Sequence, residues 1–290
     1  SLHDALPICG RRSDAAGLGD WVVAREVYPE GLRPFADHVH SLGMEFGLWF
    51  EPESVNPDSD LFRTHPEWVL RAGERNQSEW RAQYNLDLGR PEVRDHLFRQ
   101  ISIVIDDATV DYVKWDHNRP VDHAGTGLRG GAPAVHEQTL GFYALVDRLR
   151  AAHPRVEWES CAGGGARTDL EVMQRFQRVW ASDMTDAVAR LSIQRWTAQL
   201  IPLEAIGAHV CGPQSKQTGR TIPLDFRAAV ALFGHFGIEW NILEASPSER
   251  ARLQQWVAAY QTHRGLLHSG RYLRIDDPDG IVFDAAYVAA

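Results

Sequence analysis

The stretch Tyr112-Val113-Lys114-Trp115-Asp116-His117-Asn118-Arg119 gathers a lysine, a carboxylate, an amide and an arginine behind a short apolar lead-in. Val110, Tyr112 and Val113 suit a buried strand, where β-branched and aromatic residues pack well. Lys114 and Asp116 are two apart, so on a strand their side chains share a face. A neighbouring ammonium favours an ionised carboxylate, which is what a nucleophile requires. A structural Lys–Asp pair at a strand end accounts for the same residues, and the octapeptide alone leaves both readings open. Other carboxylates stand at comparable places: Glu51, Glu53, Asp87, Glu159, Asp183 and Asp186. Two carboxylates on different strand ends can flank a glycosidic bond, one attacking the anomeric carbon and one protonating the leaving oxygen. Asp183 has no cation next to it in sequence and is expected to keep the higher pKa. Spacing does not choose among these candidates.

The elements that must position such residues alternate. Strands are expected near residues 46, 86, 113, 157, 180, 204 and 239, as in Met44–Phe50 and Tyr84–Leu88. Helices fall between them. One opens at Pro34 and stops at Gly43. Another starts at Pro91 with Val93, Leu97, Ile101 and Val104 on its apolar face. A third covers about 136–152, and a fourth 187–200 with Ala189, Ile193, Trp196 and Leu200 on one face. A fifth runs from Pro223 to Phe233. Ser246-Pro247-Ser248-Glu249 is a capping box for a sixth, which is expected to stop near Gly265. Tyr272–Ile275 and Ile281–Val288 flank Asp-Pro-Asp-Gly and predict a hairpin. A Gly-rich loop over 124–133 follows the octapeptide, and its place suggests a mobile lip of the site.

Alternation of this kind predicts an α/β fold with a parallel sheet and helical crossovers. Carboxylates at successive strand ends favour a (β/α)8 TIM barrel over an open sheet, lacking a proper first strand. Residues 1–9 fit nothing that follows and are expected to be a foreign segment. Residues 10–265 would be the incomplete catalytic barrel, with its seam between the strands near 46 and 239, and 266–290 the start of a C-terminal β-rich region.

Composition narrows the function. The 290 residues carry 44% hydrophobic and 24% charged side chains, ordinary for one large domain. A net charge of -9 argues against a nucleic-acid partner. No apolar run is long enough to span a membrane. Three distant cysteines make neither a disulfide framework nor a zinc spacing, which suits a cytoplasmic protein. His38, His40, His65 and His209 are too scattered for a metal triad, so neither metal nor cofactor is expected. Ten tryptophans, several beside polar residues, suit a carbohydrate site, though tryptophan also fills cores.

Taken together, Leu18-Gly19-Asp20-Trp21, Gly43–Glu53, Asp58-Ser59-Asp60-Leu61, His65-Pro66-Glu67-Trp68, Lys114–Arg119, Glu159–Gly165, Trp180–Ala187 and Gly219-Arg220-Thr221 resemble glycoside hydrolase family 36, the bacterial α-galactosidases. The resemblance implies a TIM barrel and retaining chemistry on terminal α-D-galactosyl residues of melibiose- and raffinose-type oligosaccharides. By it, Asp116 is the nucleophile and Asp183 the general acid/base, while Trp49, Arg81, Lys114, Asn118, Cys161 and Gly163 line the galactose pocket. It also implies a homo-oligomer when full length. His117 stands where many relatives have methionine, and Met184 where many have asparagine or aspartate. The family's first strand ends in an Asp-Asp-Gly-Trp motif that residues 1–9 do not contain, so the chain is expected to be a catalytic-domain fragment. An α-N-acetylgalactosaminidase, a galactosyltransferase of the same fold, or a non-catalytic sugar-binding barrel are the alternatives.

Overall fold

The structure, a computed structural model, describes residues 11, 13–75, 77–276 and 282–288. The expectations for residues 1–9 and for the Asp-Pro-Asp-Gly turn lie outside the described residues. The chain forms two units, Ser1–Gly163 with Asp169–Phe176, and Gly164–Thr168 with Gln177–Ala290.

The first unit runs α1 (Arg33–Ser41), β1 (Gly47–Phe50), α2 (Pro91–Ala108), β2 (Tyr112–Trp115), α3 (Val135–Ala152) and β3 (Glu157–Ser160). Its three strands are parallel in the order β1-β2-β3, and Trp49, Lys114 and Glu159 stand side by side across them. Strand residues alternate between faces. Leu48, Phe50, Val113, Trp115 and Trp158 therefore share one face, and all are buried in the core beneath the helices. The other face carries Trp49, Tyr112, Lys114 and Glu159. A parallel strand buried on both sides would be a continuous apolar run; here one face is polar because it bears the candidate chemistry.

Local rules explain the helices. Pro34 and Pro91 sit in the first turns of α1 and α2, where a missing N–H removes no helical hydrogen bond. Gly43, at φ 74°, takes the left-handed residue that ends α1. Val93, Leu97, Ile101 and Val104 are buried on α2 as their spacing predicts. On α3, Phe142, Leu145, Val146 and Leu149 form the matching stripe. At full burial each such side chain contributes roughly 1.5–3 kcal/mol.

The second unit runs β4 (Arg178–Trp180), α4 (Ala187–Thr197), β5 (Ile206–Cys211), α5 (Leu224–Ala231), β6 (His235–Glu239) and α6 (Pro247–Ser269). Its strands are parallel in the order β4-β5-β6. β7 (Arg271–Asp276) and β8 (Val282–Val288) then pair antiparallel. The capping box forms as expected, with Ser246 and Glu249 satisfying each other's backbone N–H.

Four expectations change. The apolar run near 86 is not a strand of the parallel sheets: only Tyr84–Asn85 is extended, antiparallel to Ser54–Val55. Leu86 and Leu88 are buried from an irregular segment, which a short apolar run does not distinguish from a strand. The helix expected to stop at Gly265 continues to Ser269, since one interior glycine costs only about 1 kcal/mol. The face expected to be buried on α4 is the wrong one: Trp196 is 61% and Leu200 84% exposed, while Ala187, Arg190 and Gln194 are buried. Finally, the 124–133 loop is pinned. Gly125–Thr126 pairs with Ala132–Pro133, Arg71 N–H donates to Gly125 O at 2.8 Å, and a Cβ on Gly131 would sit 1.8 Å from Gly73 N.

Gly141 on α3 tests the packing. A Cβ there would meet Leu88 O at 2.0 Å and Leu88 C at 2.5 Å. Alanine gains about 1 kcal/mol of helix propensity, but forcing an atom into a packed core costs roughly 1–3 kcal/mol. Because the obstacle is backbone, the clash should win. Gly141→Ala is expected to destabilise the chain by up to about 2 kcal/mol in urea unfolding, the cost less the gain; a midpoint at or above wild type would show that this helix can move away.

Candidate active site

Asp116 follows β2 directly and is 6% exposed. Its carboxylate accepts three hydrogen bonds. Trp49 Nε1 reaches Oδ2 at 3.0 Å, Asn118 Nδ2 reaches the same oxygen at 2.7 Å, and His117 N–H reaches Oδ1 at 2.9 Å. Three of the residues read from the sequence, Asp116, Trp49 and Asn118, thus form one hydrogen-bonded group. Trp49 lies on the strand next to β2, and its ring is 6.3 Å from Trp21.

Lys114 occupies the same face, but its ion pair is not the one its sequence position suggests. Nζ donates to Glu159 Oε1 at 2.7 Å, across the β2–β3 register, and the Tyr112 hydroxyl donates to Glu159 Oε2. Burial pulls the ammonium down, yet Glu159 first, then Cys161 and Asp116, outweigh it and hold its pKa above the ordinary lysine value. Asp116 is the weakest of these partners. Direct opposition across parallel strands places Lys114 against Glu159, whereas a two-residue separation on one strand is a longer reach. Cys161 directly follows β3, 2% exposed, with its N–H on Trp115 O at 2.8 Å.

Glu51 directly follows β1 and is one of the several carboxylates among which spacing does not choose. It is 1% exposed. Its Oε1 accepts from Asn118 N at 2.9 Å and Asn118 Nδ2 at 3.0 Å, and its Oε2 from Gln83 Nε2 at 3.2 Å. Burial first, and then the charge of Asp116, push its pKa up to about 7. Gln83 closes a tight turn with Trp80, its N–H donating to Trp80 O at 3.0 Å. The two central residues are Arg81 and Ala82, both at φ 54°. Arg81 is therefore presented, exposed, at the tip of a left-handed turn. Asn56 ties the turn down from beneath, donating to Ala82 O at 2.6 Å while accepting from Leu18 N at 2.7 Å.

In the second unit, Asp183 follows β4 and is exposed. Trp180 Nε1 donates to its Oδ1 at 2.9 Å, and Gln217 Nε2 donates to its backbone carbonyl at 2.9 Å. The Trp180 ring lies between His209, centroids 4.2 Å apart, and the Arg190 guanidinium at 4.5 Å. Asp183 thus has a cationic neighbour that adjacency in sequence did not reveal. Burial draws Arg190 down, and Cys211, Glu239 and Asp183, in that order, oppose it. Gly164 and Gly165 let their loop lie against this segment; a Cβ on Gly165 would stand 2.3 Å from Ala181 O. Gly163, in the first unit, has φ 52° and open space where a Cβ would point, so backbone conformation rather than crowding demands glycine there.

The remaining carboxylates have structural work. Asp186 caps α4 through the N–H groups of Val188 and Ala189 and accepts from Thr218 and Arg220. Asp87 is fully buried, where it receives the Thr126 hydroxyl at 2.5 Å and so anchors the 124–133 hairpin. Glu53 accepts from Trp115 Nε1 at 2.8 Å. Sequence reading missed Asn56, Gln77 and Gln83, all buried. For Gln77 and Gln83 the signal is a run of amides and polar residues around 77–85 that no amphipathic pattern explains. No cluster of three or more metal-ligating side chains occurs among the described residues, and none of their helices is long and apolar enough to cross a membrane.

The turn yields a measurable strain. A non-glycine residue in the left-handed region costs roughly 1–2 kcal/mol. Glycine relieves that strain but loses roughly 0.4–1 kcal/mol to the greater freedom of the unfolded chain. Ala82→Gly is expected to be stabilising by about 0.5 kcal/mol, the difference between these two effects. Ala82→Val should destabilise, because a branched Cβ worsens the same contact. Paired urea titrations check the order; equal stabilities for all three would remove the strain.

Comparison with known proteins adds to this geometry. A family model described as Melibiase matches residues 4–270. An α-galactosidase of Escherichia coli is 44% identical over 273 residues, covering 94% of this chain and 38% of that protein. The crystal structure of the family 36 α-galactosidase AgaA from Geobacillus stearothermophilus matches with a TM-score of 0.91 at 39% identity, over 96% of this chain and 39% of that one. A variant of the same enzyme in complex with raffinose gives 0.89 at 40% identity, over 93% and 38%. The chain therefore spans well under half the length of the relatives it matches. With two units of parallel strands and helices in hand, and a family match running through both, the chain belongs to the Melibiase family, glycoside hydrolase family 36.

Proposed function

We propose that the protein to which this chain belongs is a retaining α-galactosidase acting on terminal α-D-galactosyl residues of raffinose-type oligosaccharides. Relatives named α-galactosidase at 44% and 40% identity support the activity. Related structures titled as complexes with raffinose and stachyose support the substrate class. The further reading that these parallel strands belong to a (β/α)8 barrel is supported by the position of the candidates. Glu51, Asp116, Cys161 and Asp183 all stand at the C-terminal ends of strands or just beyond them, where barrel enzymes build their sites. The cytoplasm is the proposed location.

The observation that carries the mechanism is the fixed carboxylate of Asp116. Among the described residues, Oδ2 accepts from two donors and Oδ1 from one. A carboxylate oxygen has two lone-pair directions, so Oδ1 keeps one for attack while Oδ2 is held. Asp116 is accordingly the nucleophile. It displaces the leaving group from the anomeric carbon to form a β-linked galactosyl-enzyme. Asp183 acts as general acid, protonating the departing oxygen, and then as general base for the water that hydrolyses the intermediate. Trp49, Arg81, Lys114, Asn118, Cys161 and Gly163 are proposed to line the galactose pocket.

Substitution in the full-length protein separates the two roles. Asp116→Ala is expected to abolish turnover in plain buffer, since no covalent intermediate can form. Asp183→Ala should lose roughly 10²–10⁴-fold on natural galactosides, whose poor leaving groups need protonation. It should still form the galactosyl-enzyme from activated aryl galactosides and accumulate it. Azide should then rescue Asp183→Ala by attacking the β-linked intermediate, giving the α-azide with net retention. In Asp116→Ala, azide should fill the emptied space and give the β-azide by a single inverting displacement. Product stereochemistry by NMR and burst kinetics decide the matter: a burst from Asp116→Ala and none from Asp183→Ala would reverse the roles.

A further inference from the structure

We infer that Glu51 is a positioning residue that couples the nucleophile to the turn bearing Arg81, acting on one side through Asn118 and on the other through Gln83. This rests on the α-galactosidase reading for its chemistry, but its geometry stands within one unit. Asn118 Nδ2 carries two hydrogens and uses them on two carboxyl groups, Glu51 Oε1 at 3.0 Å and Asp116 Oδ2 at 2.7 Å. Asn118 N–H also donates to Glu51 Oε1, at 2.9 Å. Glu51 therefore fixes both the backbone and the amide of Asn118, and the amide orients Asp116. On its other oxygen Glu51 meets the amide of Gln83, which closes the left-handed turn.

Two buried carboxyl groups one amide apart repel when both are ionised, which raises the proton affinity of the more buried one. Asp116 opposes its ionisation, and Arg11, whose guanidinium lies 5.8 Å from the Trp49 ring centroid, favours it more weakly. On neighbouring strand ends, Lys114 is engaged with Glu159, and Glu53 receives Trp115. The carboxyl is accordingly raised to about 7. Oε1 already accepts two N–H groups, so the proton belongs on Oε2. There the Gln83 amide suits both states. Its Oε1 is buried with no partner among the described residues, so nothing else fixes which end faces Glu51. The N–H end serves the ionised carboxylate, and the oxygen end accepts from the protonated one.

The test titrates the 290-residue chain with carboxyl-labelled glutamate by carbon NMR, the Glu51 signal being the one lost in Glu51→Gln. The expected midpoint is about 7, falling in Asp116→Asn, which removes the neighbouring charge. A midpoint near 4.3, the ordinary glutamate value, or one unmoved by Asp116→Asn, overturns the coupling whether or not the chain turns over. The kinetic arm uses p-nitrophenyl α-galactoside and the full-length protein. Ionising Glu51 places a second negative charge beside the nucleophile, so kcat/KM should fall as pH rises through about 7. Gln in its place is uncharged and can hydrogen-bond both amides; the profile of Glu51→Gln should stay flat across that limb. Glu51→Ala releases both amides and should lose on the order of 10²-fold in kcat/KM. Turnover by Glu51→Ala at the wild-type rate would defeat the positioning role and leave the α-galactosidase reading standing. Absence of turnover in the wild type would defeat that reading while the titration still decides the coupling.

Discussion

A buried ammonium must be answered, and in the first unit the answer organises everything around it. Lys114 is 8% exposed on the polar face of a sheet whose other face is the core. An unpaired charge there would be far too costly to keep. Its partner, Glu159, stands directly opposite on the next strand, and Tyr112 fills the second carboxylate oxygen. This pairing is compatible with one register only, because a slip of one residue would turn Lys114 and Glu159 to opposite faces. The same register puts Trp49 beside Lys114 and delivers its indole N–H to Asp116. Polar chemistry on one side of the strands and close packing on the other are therefore a single constraint.

What was legible in the sequence follows from the range of the interactions involved. The stop at Gly43, the buried stripe of α2 and the capping box of α6 are written within a few residues, and each formed as its local pattern required. The parallel α/β character followed from alternation of elements. The partner of Lys114 was not legible, because Glu159 lies 45 residues away and pairs through the register, not through the chain. The face of α4 was misread for a related reason. Arg190 is buried because its guanidinium covers Trp180 and donates to Ser182 O at 2.7 Å and Met184 O at 3.2 Å. A periodicity rule that places charges outside cannot foresee an arginine held by a ring and by carbonyls from a different element.

The irregular segment between residues 69 and 87 shows the same limit from the side of the backbone. Leu70, Gln77 and Asn85 are buried there without a continuous ladder, so side-chain amides supply partners for backbone groups. Gln77 donates to Leu70 O at 2.7 Å and Asn85 O at 2.8 Å, and accepts from Asn85 N at 2.8 Å. One side-chain amide thus does the work of a strand residue. Arg119, 1% exposed, donates to Ser78 O at 2.6 Å and links the stretch to the residues that follow Asp116. In sequence such amides resemble the composition of a loop. Only in three dimensions do they become the frame.

That frame explains why strain is tolerated at Arg81 and Ala82. A left-handed pair without glycine persists only where its surroundings over-determine it. Here the turn is closed by Gln83, seated on Asn56, and connected through Glu51 to the group around Asp116. A flexible loop could reach the same place but would lose conformational freedom on each encounter with a ligand. A strained turn held in advance has already met that entropy cost during folding. The polar amides that defeat pattern reading in this segment are thus the means by which the backbone that carries an exposed arginine is held in place.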